Sequence, residues 1–176
     1  MYRQFFSVLT MLFYFQAGSI VFAAPVNNLE MGERAMGMLF GQDSDTYYFE
    51  SKINETFTFG FQLVDYNDNS DLRDFYGQFD VMGYGGRRGD MGLKIILGSR
   101  TIVHETSKKY VGAAITQELS PDWSSYTSFL AGRGLKELQA GFNFRLTEEY
   151  DLNFHYRYFE YQGSRDELSI GLSYKF

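Results

Sequence analysis

The feature that most constrains this chain is an alternation of apolar and polar residues with a period of two. Phe57, Phe59, Phe61 and Leu63 share one face, while Thr58, Gly60 and Gln62 share the other. Met91, Leu93, Ile95 and Leu97 alternate with Gly92, Lys94 and Gly98, with Ile96 as the exception. Leu138, Ala140, Phe142, Phe144 and Leu146 alternate with Gln139, Gly141, Asn143 and Arg145. Tyr150, Leu152, Phe154, Tyr156 and Tyr158 do so with Asp151, Asn153, His155 and Arg157. This is the period of β-strands, and no window carries a sustained helical stripe.

Alternation alone also suits a soluble sandwich, whose apolar face is its core. Two features favour a membrane instead. The segments run about 9–11 residues, enough to cross a bilayer at a tilt, against about 5–6 for a typical strand. Their apolar faces are also regular and rich in aromatics, with Tyr 14 and Phe 18 in the chain. The apolar face then meets lipid, and every backbone group in lipid needs a partner, which demands a closed barrel. The expected fold is all-β, an antiparallel up-and-down transmembrane β-barrel of about ten strands: 33–42, 46–53, 56–66, 73–84, 90–99, 108–119, 123–132, 136–147, 150–160 and 166–176. Serines blur the phase of 123–132, so an eight-strand barrel is the alternative. Asn54-Glu55, Gly85 to Gly89, Ser120-Pro121-Asp122 and Thr147-Glu148-Glu149 are expected as turns on the periplasmic side. Trp123, Tyr150 and Tyr174 are expected near one membrane interface, and Tyr47, Tyr66, Tyr110 and Tyr158 near the other.

The N-terminus reads as an address. Arg3 precedes the apolar run Phe5 to Phe15, and Val21-Phe22-Ala23 offers a small-residue cleavage site before Ala24. The expected organisation is a signal peptide at 1–23, a short periplasmic segment at 24–32 and a barrel at 33–176. Export to the outer membrane of a diderm bacterium follows. Cys is 0, which excludes disulfides, zinc-thiolate sites and a cysteine nucleophile. Sixteen Lys and Arg against 22 Asp and Glu, with no basic tract, argue against nucleic acid as a partner.

The last residues, Leu168 to Phe176, carry an apolar or aromatic side chain at every second position and end in Phe. The stretch resembles the terminal strand of bacterial outer-membrane barrels. That resemblance implies recognition by the barrel-assembly machinery through Leu172, Tyr174 and Phe176. Residues 152–163, LNFHYRYFEYQG, also resemble the penultimate strand of YfaZ-type small barrels.

Alternation places Glu50, Lys52, Asp80, Lys94, Glu118, Arg145, Asp151, His155, Arg157 and Lys175 on the lumen face. Their signs nearly balance, so they are expected to pair, because an unpaired buried charge is costly. His155 is expected to find partners among Asp151, Asn153 and Arg157. A ten-strand lumen is little wider than the eight-strand size that side chains fill. Inward Gly60, Gly92, Gly98, Gly112, Gly141 and Gly171 are expected to leave room for water. The expected role is thus a structural or narrow-pore barrel, with outer-membrane lipids as partners and no cofactor.

The alternative is a lipid A-modifying enzyme at the outer rim, similar to the barrel deacylases that use His, Ser and Glu. Thr106 stands where such a pattern beside His104 wants Ser, and Ser107 points to the opposite face. Asp71, Asp74 and His104 are the rim residues that a protease would need together. Asp65, Asn67, Asn69 and Asp71 place oxygens at alternate positions, as in the front half of a calcium loop. Ser70 replaces the required glycine and Tyr76 the bidentate Glu, so a solvated acidic loop is expected and no metal. The glycines at 83–89 lack the Lys-Ser/Thr and helix of a phosphate loop.

Overall fold

The computed structural model describes residues 26–68, 71–82, 91–102, 107–161 and 163–176. The expected signal peptide and the glycine-rich turn at 85–89 lie outside these residues, as do His104 and Thr106. The strands are β1 (Arg34–Gly41), β2 (Ser44–Asn54), β3 (Phe57–Tyr66), β4 (Leu72–Met82), β5 (Met91–Ile102), β6 (Lys108–Ser120), β7 (Trp123–Gly132), β8 (Leu135–Arg145), β9 (Tyr150–Glu160) and β10 (Ser164–Lys175). Each pairs antiparallel with its chain neighbour, and β10 returns to β1 through a register running from Ala35↔Lys175 to Gly41↔Ser169. The sheet therefore closes into a ten-strand barrel, and the eight-strand alternative is not realised.

The start of β1 and the end of β10 lie at one rim, here the terminal end, where Arg34 and Phe176 exchange two backbone hydrogen bonds. Short side chains shape the turns at this end. Asn54 Oδ1 accepts from the amides of Thr56 and Phe57, Ser120 Oγ from that of Trp123, and Thr147 Oγ1 from those of Glu149 and Tyr150. A local side-chain acceptor of this kind replaces the missing ladder bond and fixes the reversal. Irregularities interrupt the register at Lys52/Asn54, Asp80/Met82 and Glu118/Ser120, all at this rim. An extra residue at a barrel rim bends its strand and ends the pairing. At the far end Arg133-Gly134 joins β7 to β8, and Gly134 takes a φ of +70° that a side chain would oppose.

The outer surface carries the apolar face. Ile115 is 47%, Phe142 49% and Phe154 40% exposed. Aromatic pairs ring the terminal end: Trp123–Phe144 at 4.8 Å, Tyr150–Tyr174 at 5.0 Å and Tyr174–Phe176 at 5.5 Å between centroids. At the other rim Tyr47 is exposed, but Tyr66 and Tyr110 are buried inside the barrel. The expectation for those two tyrosines is corrected by parity, since Tyr66 shares its face with Gln62 and Tyr110 with Gly112.

Candidate functional site: a filled lumen

The interior is built from alternate residues of all ten strands, and their sizes are matched across neighbours. Gly37 faces Tyr48, Gly60 faces Tyr76, Gly98 faces Tyr110 and Gly141 faces Tyr126 in the strand register. Each tyrosine ring lies over the opposing glycine. A Cβ built on Gly60 would stand 2.2 Å from the Tyr76 ring, and one on Gly98 would stand 2.3 Å from that of Tyr110. The glycines thus provide seats for aromatic rings, and the room for water expected at Gly60, Gly98 and Gly141 is already taken. A ring covering a cross-strand glycine also shields its bare backbone.

Charges fill the remaining section in tiers. At the terminal end Lys175 Nζ lies 2.6 Å from Asp151 Oδ2. Glu118, Asn143 and Arg145 line a shallow hollow beside that pair, with room for a water-sized guest. One tier deeper, Asp80 receives Lys52, with Lys94 at 3.2 Å on its other oxygen. Glu50 follows, wholly buried, accepting from Tyr76 Oη at 3.1 Å and Gln78 Nε2 at 2.6 Å. His155 Nδ1 lies 3.1 Å from Ser169 Oγ, its partner directly across the β9–β10 ladder. The ring stacks on Tyr126 at 6.3 Å. The expected bonds from His155 to Asp151, Asn153 or Arg157 are therefore replaced by one to a neighbour across the strands.

The far half holds a network that alternation applied strand by strand did not assemble. Arg100 is fully buried and gives Nε to Asp74 Oδ1 at 2.7 Å and Nη2 to Asp74 Oδ2 at 2.5 Å. Its Nη1 bonds Glu137, whose other oxygen lies 2.9 Å from Arg157 Nε. Gln139 Nε2 also donates to Glu137, at 2.8 Å. The Arg100 guanidinium lies 5.6 Å from the Tyr110 ring centroid and 5.3 Å from that of Phe159. Ile96, Leu130 and Leu135, all buried, pack the rest of this level. Two arginines and two carboxylates give formal neutrality, and the bidentate Arg–Asp geometry is the strong form of such a contact. At the far rim Glu167 accepts from the amides of Asp43 and Ser44 at 2.8 and 2.6 Å and from Ser44 Oγ at 2.6 Å. It reaches over Gly41, where a Cβ would stand 2.1 Å from Glu167 Oε1, and so fastens the β1–β10 seam.

Asp74, Arg100, Glu137 and Glu167 are the residues that sequence reasoning missed. Arg100 lies just past the expected strand end at 99, whereas β5 runs to Ile102. Asp74 was expected at the rim with Asp71 and His104, but its inward parity buries it against Arg100. Glu137 and Glu167 share parity with Gln139 and Ser169, a signal available in the sequence. The loop candidates scatter. Asp65 is exposed opposite Asp45, and the Asn67 side chain turns to the Gln42 carbonyl at 3.4 Å. Asn69 lies outside the described residues, and among those described no three His, Cys, Asp or Glu side chains converge as metal ligands would.

Neither a family model nor a curated protein matches this sequence. Solved structures match its shape. The KdgM porin aligns with a TM-score of 0.55 at 7% identity, over 82% of this chain and 99% of that one. The KdgM porin in complex with disordered oligogalacturonate aligns to the same extent, at 0.55 and 7%. This chain and the KdgM porin share one fold, a closed antiparallel β-barrel. The N-terminal β-barrel domain of Pseudomonas aeruginosa OprF also aligns, with a TM-score of 0.45 at 12% identity over 83% of this chain and 98% of that one. At these identities the backbone architecture is what is shared.

Proposed function

We propose that this protein is an integral outer-membrane barrel with a structural role, porin-like in architecture and closed along its lumen at rest. The observation that carries the reading is the Asp74–Arg100–Glu137–Arg157 network. It crosses the far half of the lumen from β4 and β5 to β8 and β9 with side chains that are all buried. The outward belt supports lipids of the outer membrane as the barrel's partners. Leu172 and Phe176 face outward on the last strand and Tyr174 is half-buried, as a segment read by the assembly machinery requires. The terminal end is then periplasmic, and residues 1–23 serve export. The stretch that resembles YfaZ-type barrels falls on β9 and its turn, and we keep that kinship as part of the proposal.

A non-enzymatic role fits the interior. Among the described residues His155 and Ser169 come closest to a base beside a nucleophile. They sit inside the barrel, and no carboxylate meets His155 Nε2. Ser107, at the far rim, bonds Ser99 Oγ at 2.5 Å. The test is solute flux from proteoliposomes. Vesicles carrying the refolded barrel should retain a trapped pentose as well as protein-free vesicles do. Release within seconds would refute closure, and loss of lipid A acyl chains on expression would favour the enzyme.

A further inference from the structure

Residues 26–33 do not stand free of the barrel. Val26 is 2% and Asn27 3% exposed, and Val26 belongs to the same buried cluster as Ile96 and Leu130. Asn27 Nδ2 donates to Glu50 Oε2 at 2.7 Å, and its amide points to the same oxygen at 3.3 Å. Lys94 Nζ lies 3.4 Å from the Asn27 carbonyl. The segment then leaves the lumen and reverses into β1. Glu33 N bonds Glu30 O, Gly32 takes a φ of +90° and donates to Lys52 O at 3.0 Å, and Glu30 N donates to Glu33 Oε2 at 2.6 Å.

Glu50 makes this arrangement informative. Its carboxylate is wholly buried, and among the described residues no cation pairs with it directly. The wall supplies Tyr76 and Gln78 to one oxygen, while the other oxygen is bonded by Asn27. A buried carboxylate with half its donors removed is costly, so Glu50 holds the segment in place. A narrow hollow runs beside Val26 and Asn27, lined by Leu39, Tyr48 and Tyr126 of the wall.

We propose that residues 26–28 are an internal plug, seated by Glu50 and hinged at Gly32, that closes the terminal half of the lumen in series with the Arg100 network. The proposal rests on the closed-lumen reading for the far half, and its own half is tested separately. Two closures in series mean that withdrawing the plug opens a blind vestibule from the terminal end, with no path through the membrane.

The chain has no cysteine, so a single introduced thiol reports access cleanly. Ser128 is 1% exposed and lies one inward position beyond Tyr126. Ser128→Cys would be labelled with a small water-soluble methanethiosulfonate in three proteins: the chain begun at Ala24, the chain begun at Glu30, and the former with Glu50→Gln. Heat-modifiable gel mobility checks that each is folded, and Glu50→Gln keeps the chain complete. Loss of charged hydrogen bonds to the plug should speed labelling by about tenfold or more in both altered proteins. Equal rates in all three, or rapid labelling already in the chain begun at Ala24, would overturn the plug. Through-conductance of the unaltered chain would overturn both closures, whereas through-conductance that appears only in the chain begun at Glu30 or with Glu50→Gln would refute the far closure and leave the plug standing.

Discussion

Seating tyrosines over glycines makes a sharp prediction at Gly98. In Gly98→Ala the new Cβ would stand 2.3 Å from Tyr110 Cζ and 2.4 Å from its hydroxyl. Ordinary contact needs about 3.5–4.0 Å, so the ring must retreat by more than about 1 Å. It has little freedom to do so. Tyr110 is buried, and the Arg100 guanidinium beside it is fixed by Asp74 and Glu137. Overpacking of this kind costs about 1–3 kcal/mol. Alanine in a strand recovers about 0.5–1 kcal/mol of the backbone entropy that glycine loses. The net destabilisation should therefore lie between about 0 and 2.5 kcal/mol, centred near about 1 kcal/mol. Urea unfolding in lipid vesicles, followed by the fluorescence of the single tryptophan, Trp123, measures it. The background Tyr110→Ala removes the ring. There the same Gly98→Ala substitution should stabilise, because only the entropy gain remains. Opposite signs in the two backgrounds are the signature of the seat. The same sign and size in both would refute it.

The buried network predicts strong asymmetry between its partners. Glu137→Ala leaves Arg100 and Arg157 without their shared acceptor and should cost about 3–5 kcal/mol by the same unfolding assay. Replacing a lipid-facing residue with Arg should depend on depth. Ile115→Arg, in mid-β6, should cost about 2–4 kcal/mol, and Leu119→Arg, near the strand end, about 0–1 kcal/mol. Equal costs at the two positions would place β6 incorrectly in the bilayer.

The barrel was legible because a closed sheet in lipid leaves the sequence no freedom. Every second residue of 57–63, 91–97 and 150–158 had to be apolar, and the strand count follows from those segments. Even β7, blurred by Ser124, Ser125 and Ser128, kept its parity, with Tyr126, Ser128 and Leu130 inward. The lumen was less legible, since parity says which residues point inward but not how they meet. Glycine carries no sign of whether its space is empty or occupied, and at Gly60, Gly98 and Gly141 the occupant comes from the next strand. Arg100 was hidden by a strand end that ran further than hydropathy suggested, and Asp74, inside its expected strand, was read as a rim residue instead of an inward partner. The course of Val26 and Asn27 into the lumen has no periodic signal at all. It depends on a buried acceptor, Glu50, well away in the sequence.

Single-channel recording of the refolded mature protein in a planar bilayer tests the central claim most directly. With the Asp74–Arg100–Glu137–Arg157 network intact, a folded barrel should insert without discrete current steps at moderate voltage. Reproducible steps from protein of native gel mobility would contradict a closed lumen and restore the open pore.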